Sequence, residues 1–153
     1  MTDIKKLLDE HEVYIRGVSR GIKNVFSPMV VYEKNGQRIV NVIIGEREQL
    51  KVFIKMMVKT RPEWIVVMTE AFMKTVKKEE GIPKDYQYGQ LEQEFNNGVR
   101  NVIEVYTIQV YTKSEKMMRV IRKDNLERFG KDVDAFDGYL ALNDVERVFN
   151  IGG

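Results

Sequence analysis

The stretch Met29-Val30-Val31-Tyr32-Glu33-Lys34-Asn35-Gly36-Gln37-Arg38-Ile39-Val40-Asn41-Val42-Ile43-Ile44 decides how this chain is read. Two runs rich in Val, Ile and Tyr, Met29 to Lys34 and Gln37 to Ile44, flank Asn35-Gly36. That dipeptide tolerates the positive φ angles of a two-residue hairpin turn better than any other. A two-residue loop also fixes the register. It places Tyr32 opposite Ile39, Val31 opposite Val40, and Glu33 opposite Arg38 as a cross-strand charge pair near the tip.

Upstream, Ile4, Leu7, Leu8, Tyr14, Ile15 and Val18 follow the helical period, with Thr2 or Asp3 as N-cap and Gly17 or Gly21 at the end. Downstream, Gly45 breaks the strand and Glu46 and Glu48 suit the positive end of a helix dipole. Leu50, Phe53, Ile54, Met57 and Val58 then form the apolar stripe of a second helix ahead of Arg61-Pro62. Trp64 to Met73 carries apolar residues on both parities, the pattern of a strand covered on two faces and central in its sheet. Val99 to Thr112 and Glu115 to Lys123, separated by Lys113-Ser114, read as a second antiparallel hairpin. Asn143-Asp144-Val145-Glu146 offers a capping box for a short helix through Phe149, and Gly152-Gly153 reads as a frayed end. The order α-β-β-α-β-β-β-α predicts a single α+β domain over residues 1–153, with one mainly antiparallel sheet of about five strands and helices packed on it. At the level of element order this resembles roadblock-like and profilin-like domains, which are binding and dimerisation folds.

Composition narrows the chemistry. The chain has 153 residues, no cysteine and one histidine, His11. Disulfides, thiolate catalysis, iron–sulfur clusters and multi-histidine metal centres are therefore outside its reach, and one imidazole base is the most it can offer. There is no Walker loop and no G-x-G-x-x-G. His11 falls on the buried stripe of the first helix, where a satisfied core or boundary histidine is expected. Asp132-x-Asp134-x-x-Asp137-Gly138 lacks the spacing and the closing Glu of a calcium loop and reads as an acidic surface turn. The eight methionines read as core fillers. The charged N-terminal residues and the short apolar runs predict a cytoplasmic protein without membrane contact.

The formal net charge is +2, so the distribution carries more than the total. From Tyr111 to Lys131 the cations Lys113, Lys116, Arg119, Arg122, Lys123, Arg128 and Lys131 outnumber Glu115, Asp124 and Glu127. From Asp132 to Asn150 the acids dominate. Either the two segments neutralise each other, or Arg119, Arg122 and Lys123 present a basic face to a phosphate backbone.

Two further features ask for an explanation. Val76 to Gly98 is long for a connector, contains Gly81, Pro83, Gly89 and Asn96-Asn97-Gly98, and carries Ile82, Tyr86, Tyr88, Leu91 and Phe95. Tyr86, Tyr88, Leu91 and Phe95 are candidate partner-binding residues, with a helical turn carrying Leu91 and Phe95 over the sheet as the alternative. Glu70 and Glu104 each interrupt an apolar strand face. A carboxylate in such a place needs a partner, a metal or a proton. On neighbouring strands the two can share Mg²⁺ or Mn²⁺ for phosphodiester chemistry, or Glu104 can pair with Lys123 across the hairpin centred on Lys113-Ser114.

Glu70-Ala71-Phe72-Met73, followed by Arg100-Asn101-Val102-Ile103-Glu104-Val105, resembles small uncharacterised phage and plasmid proteins. These have an E-A-W-M strand and a later strand opened by Arg and carrying Glu-Val; Phe72 stands here in place of the Trp. The resemblance covers Trp64 to Thr112 and implies a mobile-element origin without a mechanism. The preferred expectation is a non-enzymatic interaction protein without cofactor, a homodimer, contacting a macromolecular partner through the Val76–Gly98 segment or an exposed part of the sheet. The alternatives are a divalent-metal nuclease or phosphodiesterase on Glu70 and Glu104, and a nucleic-acid-binding protein without catalysis.

Overall fold

A computed structural model describes residues 2–21, 27–43, 47–77, 79–80, 89–132 and 147–152. The first helix, α1 (Ile4–Gly21), starts where the Asp3 carboxylate accepts the Lys6 N–H at 3.1 Å, one of the orphan donors of a helix start. The hairpin follows as β1 (Met29–Lys34) and β2 (Gln37–Val42), with Asn35 at φ 53° and Gly36 at φ 76°. Both central residues at positive φ make the turn whose twist matches that of the strands. The expected register holds: Tyr32 faces Ile39, Val31 faces Val40 and Glu33 faces Arg38. Next come α2 (Arg47–Lys59), β3 (Trp64–Lys77), α3 (Gln90–Asn96), β4 (Val102–Thr112), β5 (Lys116–Arg122) and β6 (Arg147–Gly152).

The fold is α+β. Five strands run antiparallel to their neighbours in the order β2-β1-β3-β4-β5. β3 is the axis of the sheet. β4 takes one of its edges from Trp64 to Lys74, so its other edge is shared end to end by β1, at Trp64 to Met68, and β6, parallel at Phe72 to Lys77.

Alternation along β3 divides the core into two layers. On one face Trp64, Val66 and Met68, with Met29, Val31, Tyr106, Ile108, Val110 and Ile121, receive Ile4, Leu7, Leu8 and Ile15 of α1. On the other, Ile65, Val67, Ala71 and Met73, with Val30, Val105, Tyr111, Met118 and Val120, receive Leu50 and Ile54 of α2. α3 lies on the α1 face, because Phe95 packs on Phe72 (ring centroids 5.6 Å apart) and Glu94 pairs with Lys74 at 2.7 Å. No helix among the described residues is long and apolar enough to cross a membrane.

The chain end corrects the sequence reading. Arg147 to Phe149 belong to a strand, not to a short helix, and Gly152 pairs with Lys77. The proposed cap, Asn143 to Glu146, lies outside the described residues. The cause is tertiary: β3 runs four residues past Met73, to Lys77, and its unpaired edge offers Val148, Phe149 and Ile151 a ladder that a local capping signal does not outweigh.

Candidate interaction surface

Glu70 and Glu104 come together. The β3–β4 register sets Glu70 against Tyr106 and Phe72 against Glu104, which places both acids on the α1 face one step apart. The turn at Lys113-Ser114 carries Lys123 to the same place: its Nζ lies 3.3 Å from Glu70 Oε1, 3.7 Å from Glu104 Oε2 and 5.7 Å over the Tyr106 ring. The three side chains are about one third exposed, at 36%, 37% and 29% for Glu70, Glu104 and Lys123. Partial burial pulls the Lys123 ammonium down, but the two carboxylates outweigh it and hold it above the usual lysine range. The positive charge between the acids is thus a side chain of the protein. Among the described residues no three His, Asp or Glu groups gather in a way that would hold a metal ion.

The other two cations expected on a basic face are also held by acids. Arg119 is 1% exposed and shares its strand parity with Ile121, so it points under α1. Its Nε and Nη2 each donate to Asp132 at 2.8 Å, and its Nη1 donates to Asp9 at 2.7 Å with Glu12 at 3.7 Å. Arg128 donates to Glu12 at 2.6 Å and lies 3.4 Å from Asp9. The bidentate bond from Arg119 holds the Asp132 carboxyl below its ordinary range, overcoming burial. Arg122 points to the opposite face and grips Asp124 at 3.0 and 2.8 Å. Arg119, Arg122, Lys123 and Arg128 therefore each neutralise acids within the chain. The local signal for the Arg119 site was a lone Arg among Met117, Met118, Val120 and Ile121, matched by two acids, Asp9 and Glu12, bordering the buried stripe of α1.

Tyr86 and Tyr88 lie outside the described residues. Leu91 is buried at 1% exposed, and Phe95 is half-buried against Phe72, so both spend their apolar surface inside the chain as a helical turn over the sheet. His11 is a satisfied core histidine. Its Nδ1 lies 2.7 Å from the Leu7 carbonyl, its ring meets Trp64 edge-on, and burial holds it below the usual imidazole range. A cleft of about 320 Å³ near the β4–β5 turn is lined by Thr2, Glu63, Thr112, Lys113, Ser114 and Glu115. The Thr112 hydroxyl there is committed to the turn, accepting the N–H groups of Ser114 and Glu115.

The two outer edges of the sheet differ. Beyond β5 the chain folds back on itself: Phe129 N–H donates to the Val120 carbonyl and Arg122 N–H to the Glu127 carbonyl, both at 2.8 Å, and Arg128 bridges to Ile121. Beyond β2 no strand is paired among the described residues. The hairpin register makes Lys34–Gln37, Tyr32–Ile39 and Val30–Asn41 the hydrogen-bonded pairs, so the main-chain N–H and C=O of Arg38, Val40 and Val42 point outward. Val40 and Val42 are 54% and 52% exposed on the α1 face, and Ile39 is exposed on the other. The charge on this strand is turned away from its edge. Arg38 lies 4.9 Å over the Trp64 ring and bonds Glu10 at 3.1 Å, while Glu33 accepts the Trp64 indole N–H at 3.0 Å. Glu33 and Arg38 stand opposite in register yet each takes a different partner.

No family model, curated protein or solved structure matches this chain.

Proposed function

We propose that the chain is a non-enzymatic accessory protein, of mobile-element origin as the Glu70-Ala71-Phe72-Met73 strand implies, which binds a macromolecular partner along the open edge of β2. The observation that carries this reading is the asymmetry of the edges. From Val120 to Arg122 the β5 edge is covered by the chain's own residues 127–129, whereas β2 offers outward main-chain groups beside exposed valines. An unprotected edge of this kind is a template for strand addition. The test is the double variant Val40→Lys/Val42→Lys, which changes only exposed side chains. It should keep the wild-type circular dichroism and lose association with whatever the wild type retains. Equal retention by both proteins sinks the reading.

One observation favours a second reading, a nuclease or phosphodiesterase using Mg²⁺ or Mn²⁺: Glu70 and Glu104 lie within reach of a single cation. A ligand that binds only the folded chain raises its melting temperature by mass action. On the accessory reading, Mn²⁺ leaves the melting temperatures of wild type and Glu70→Gln alike, and Glu70→Gln melts lower because it breaks the pair with Lys123. A Mn²⁺-dependent rise in the wild type that Glu70→Gln abolishes would establish the metal site instead.

A further inference from the structure

We infer that the partner at β2 is a second copy of this chain, added antiparallel about a two-fold axis through Val40 so that one sheet runs through both protomers. The inference rests on the edge-binding reading above and names its occupant.

The outward main-chain groups of β2 belong to Arg38, Val40 and Val42, three positions spaced evenly about Val40. An antiparallel copy centred there places Val40 against Val40 of the second copy and Arg38 against its Val42. All three residues on each side then form hydrogen-bonded pairs, and every outward group finds a partner. The same register keeps the two Arg38 side chains apart, so no like charges meet across the ladder. A strand whose hydrogen-bonding positions are symmetric about its own centre is self-complementary, which is what a two-fold interface requires.

The side chains agree. Val40 and Val42 lie on the face that carries α1, and the helix reaches that side of the sheet, because Glu10 contacts Arg38. Tyr14, one turn beyond Glu10 on the same helix, is 41% exposed. A six-residue ladder alone is small beside a standard interface of about 1,600 Å². The exposed Val40 and Val42 of both copies add apolar area to the ladder.

Nothing on β2 opposes the pairing. Monomeric sheet proteins guard such edges with Pro, Lys, a bulge or an inward charge. Here the β1–β2 register is continuous from Met29–Val42 to Lys34–Gln37, the strand contains no Pro or Lys, and its one charge is folded back onto Trp64 and Glu10. A formal net charge of +2 adds little repulsion between copies.

The experiment combines sedimentation with a single-cysteine cross-link, which the absence of native cysteine makes clean. Wild type should sediment at twice 17.9 kDa, and Val40→Lys/Val42→Lys at half the wild-type mass with unchanged circular dichroism. Val40→Cys should be captured as a covalent dimer by a short bifunctional maleimide, since paired positions about 5.5 Å apart lie within its reach. Lys113→Cys, on a turn three strands from β2, should not. A wild type that stays monomeric overturns the inference, and edge binding survives that result if Val40→Lys/Val42→Lys still loses another partner. A dimer that persists in the double variant, with no Val40→Cys cross-link, overturns the inference, and edge binding falls with it only if the double variant also retains every other partner of the wild type. If the double variant does not fold, the Val40→Cys cross-link decides the question by itself.

Discussion

Arg119 shows what a single residue does for this fold and why the sequence alone does not reveal it. Its guanidinium is enclosed under α1 and engages Asp132, thirteen positions later, and Asp9, 110 positions earlier. A local reading sees only a cation in a basic stretch. The lysine four positions on was legible, because the Lys113-Ser114 turn fixes the register that sets Lys123 beside Glu104. Removing one partner of a buried ion pair leaves the others uncompensated, so Arg119→Met should cost about 3 kcal/mol at neutral pH in a denaturant titration. The acids set the pH dependence. The Arg119 hydrogen bond holds Asp132 low, and Arg128 and Arg119 hold Glu12 low against its burial. Folded-state values below the unfolded ones add stability above about pH 4 and lose it as the pH falls through the folded values. The melting temperature should therefore drop steeply below about pH 4. Asp132→Asn should start lower at pH 7 and fall less steeply; a slope equal to the wild type's would exclude this carboxylate as a source. His11, held low by burial, contributes an earlier loss in the same direction as acid forces it to charge.

At the scale of elements, legibility follows how local the determinant is. Asn35-Gly36 determines its hairpin through backbone angles alone, and the predicted register is the one observed. The same angles make Gly36→Ala a test. There is room for the added Cβ, but φ is +76°, so the strain of left-handed backbone should cost about 1 kcal/mol with no change in the folded spectrum. An undiminished denaturation midpoint would show that the turn relaxes to another type. β3 was legible as a central strand because both of its parities are apolar. α3 is the helical turn through Leu91 and Phe95 that their four-residue spacing allowed, with Phe95 packed on Phe72 of β3. β6 was illegible: a capping signal at Asn143 pointed to helix, and only the open edge of β3, distant in sequence, favours strand.

At the scale of the whole molecule, helices sit on both faces of one sheet, so stability resides in the centre and exposure at the rim. Trp64 to Met68 and Ile108 to Val110 are buried under both layers, whereas β2 meets solvent along most of its length. The inventory of side chains made catalysis by thiol or histidine clusters unreachable from composition, and the structure adds that each described cation of the basic stretch in β5 and after it that was a phosphate candidate faces an acid. The remaining asymmetry, one rim covered from Val120 to Arg122 and the other without a paired strand among the described residues, was not legible, because strand order is a property of the assembled sheet.

The enclosure of Arg119 also sets a timetable for biosynthesis. The first helix leaves the ribosome early, yet the platform it needs includes Ile121, and the clasp that holds it includes Asp132. At common translation speeds that interval is on the order of ten seconds. Throughout it the apolar stripe of the nascent helix lacks Ile121 and the clasp of Arg119, so a chain arrested before Arg119 is translated should yield residues 4–21 to protease faster than a released chain that carries Asp132.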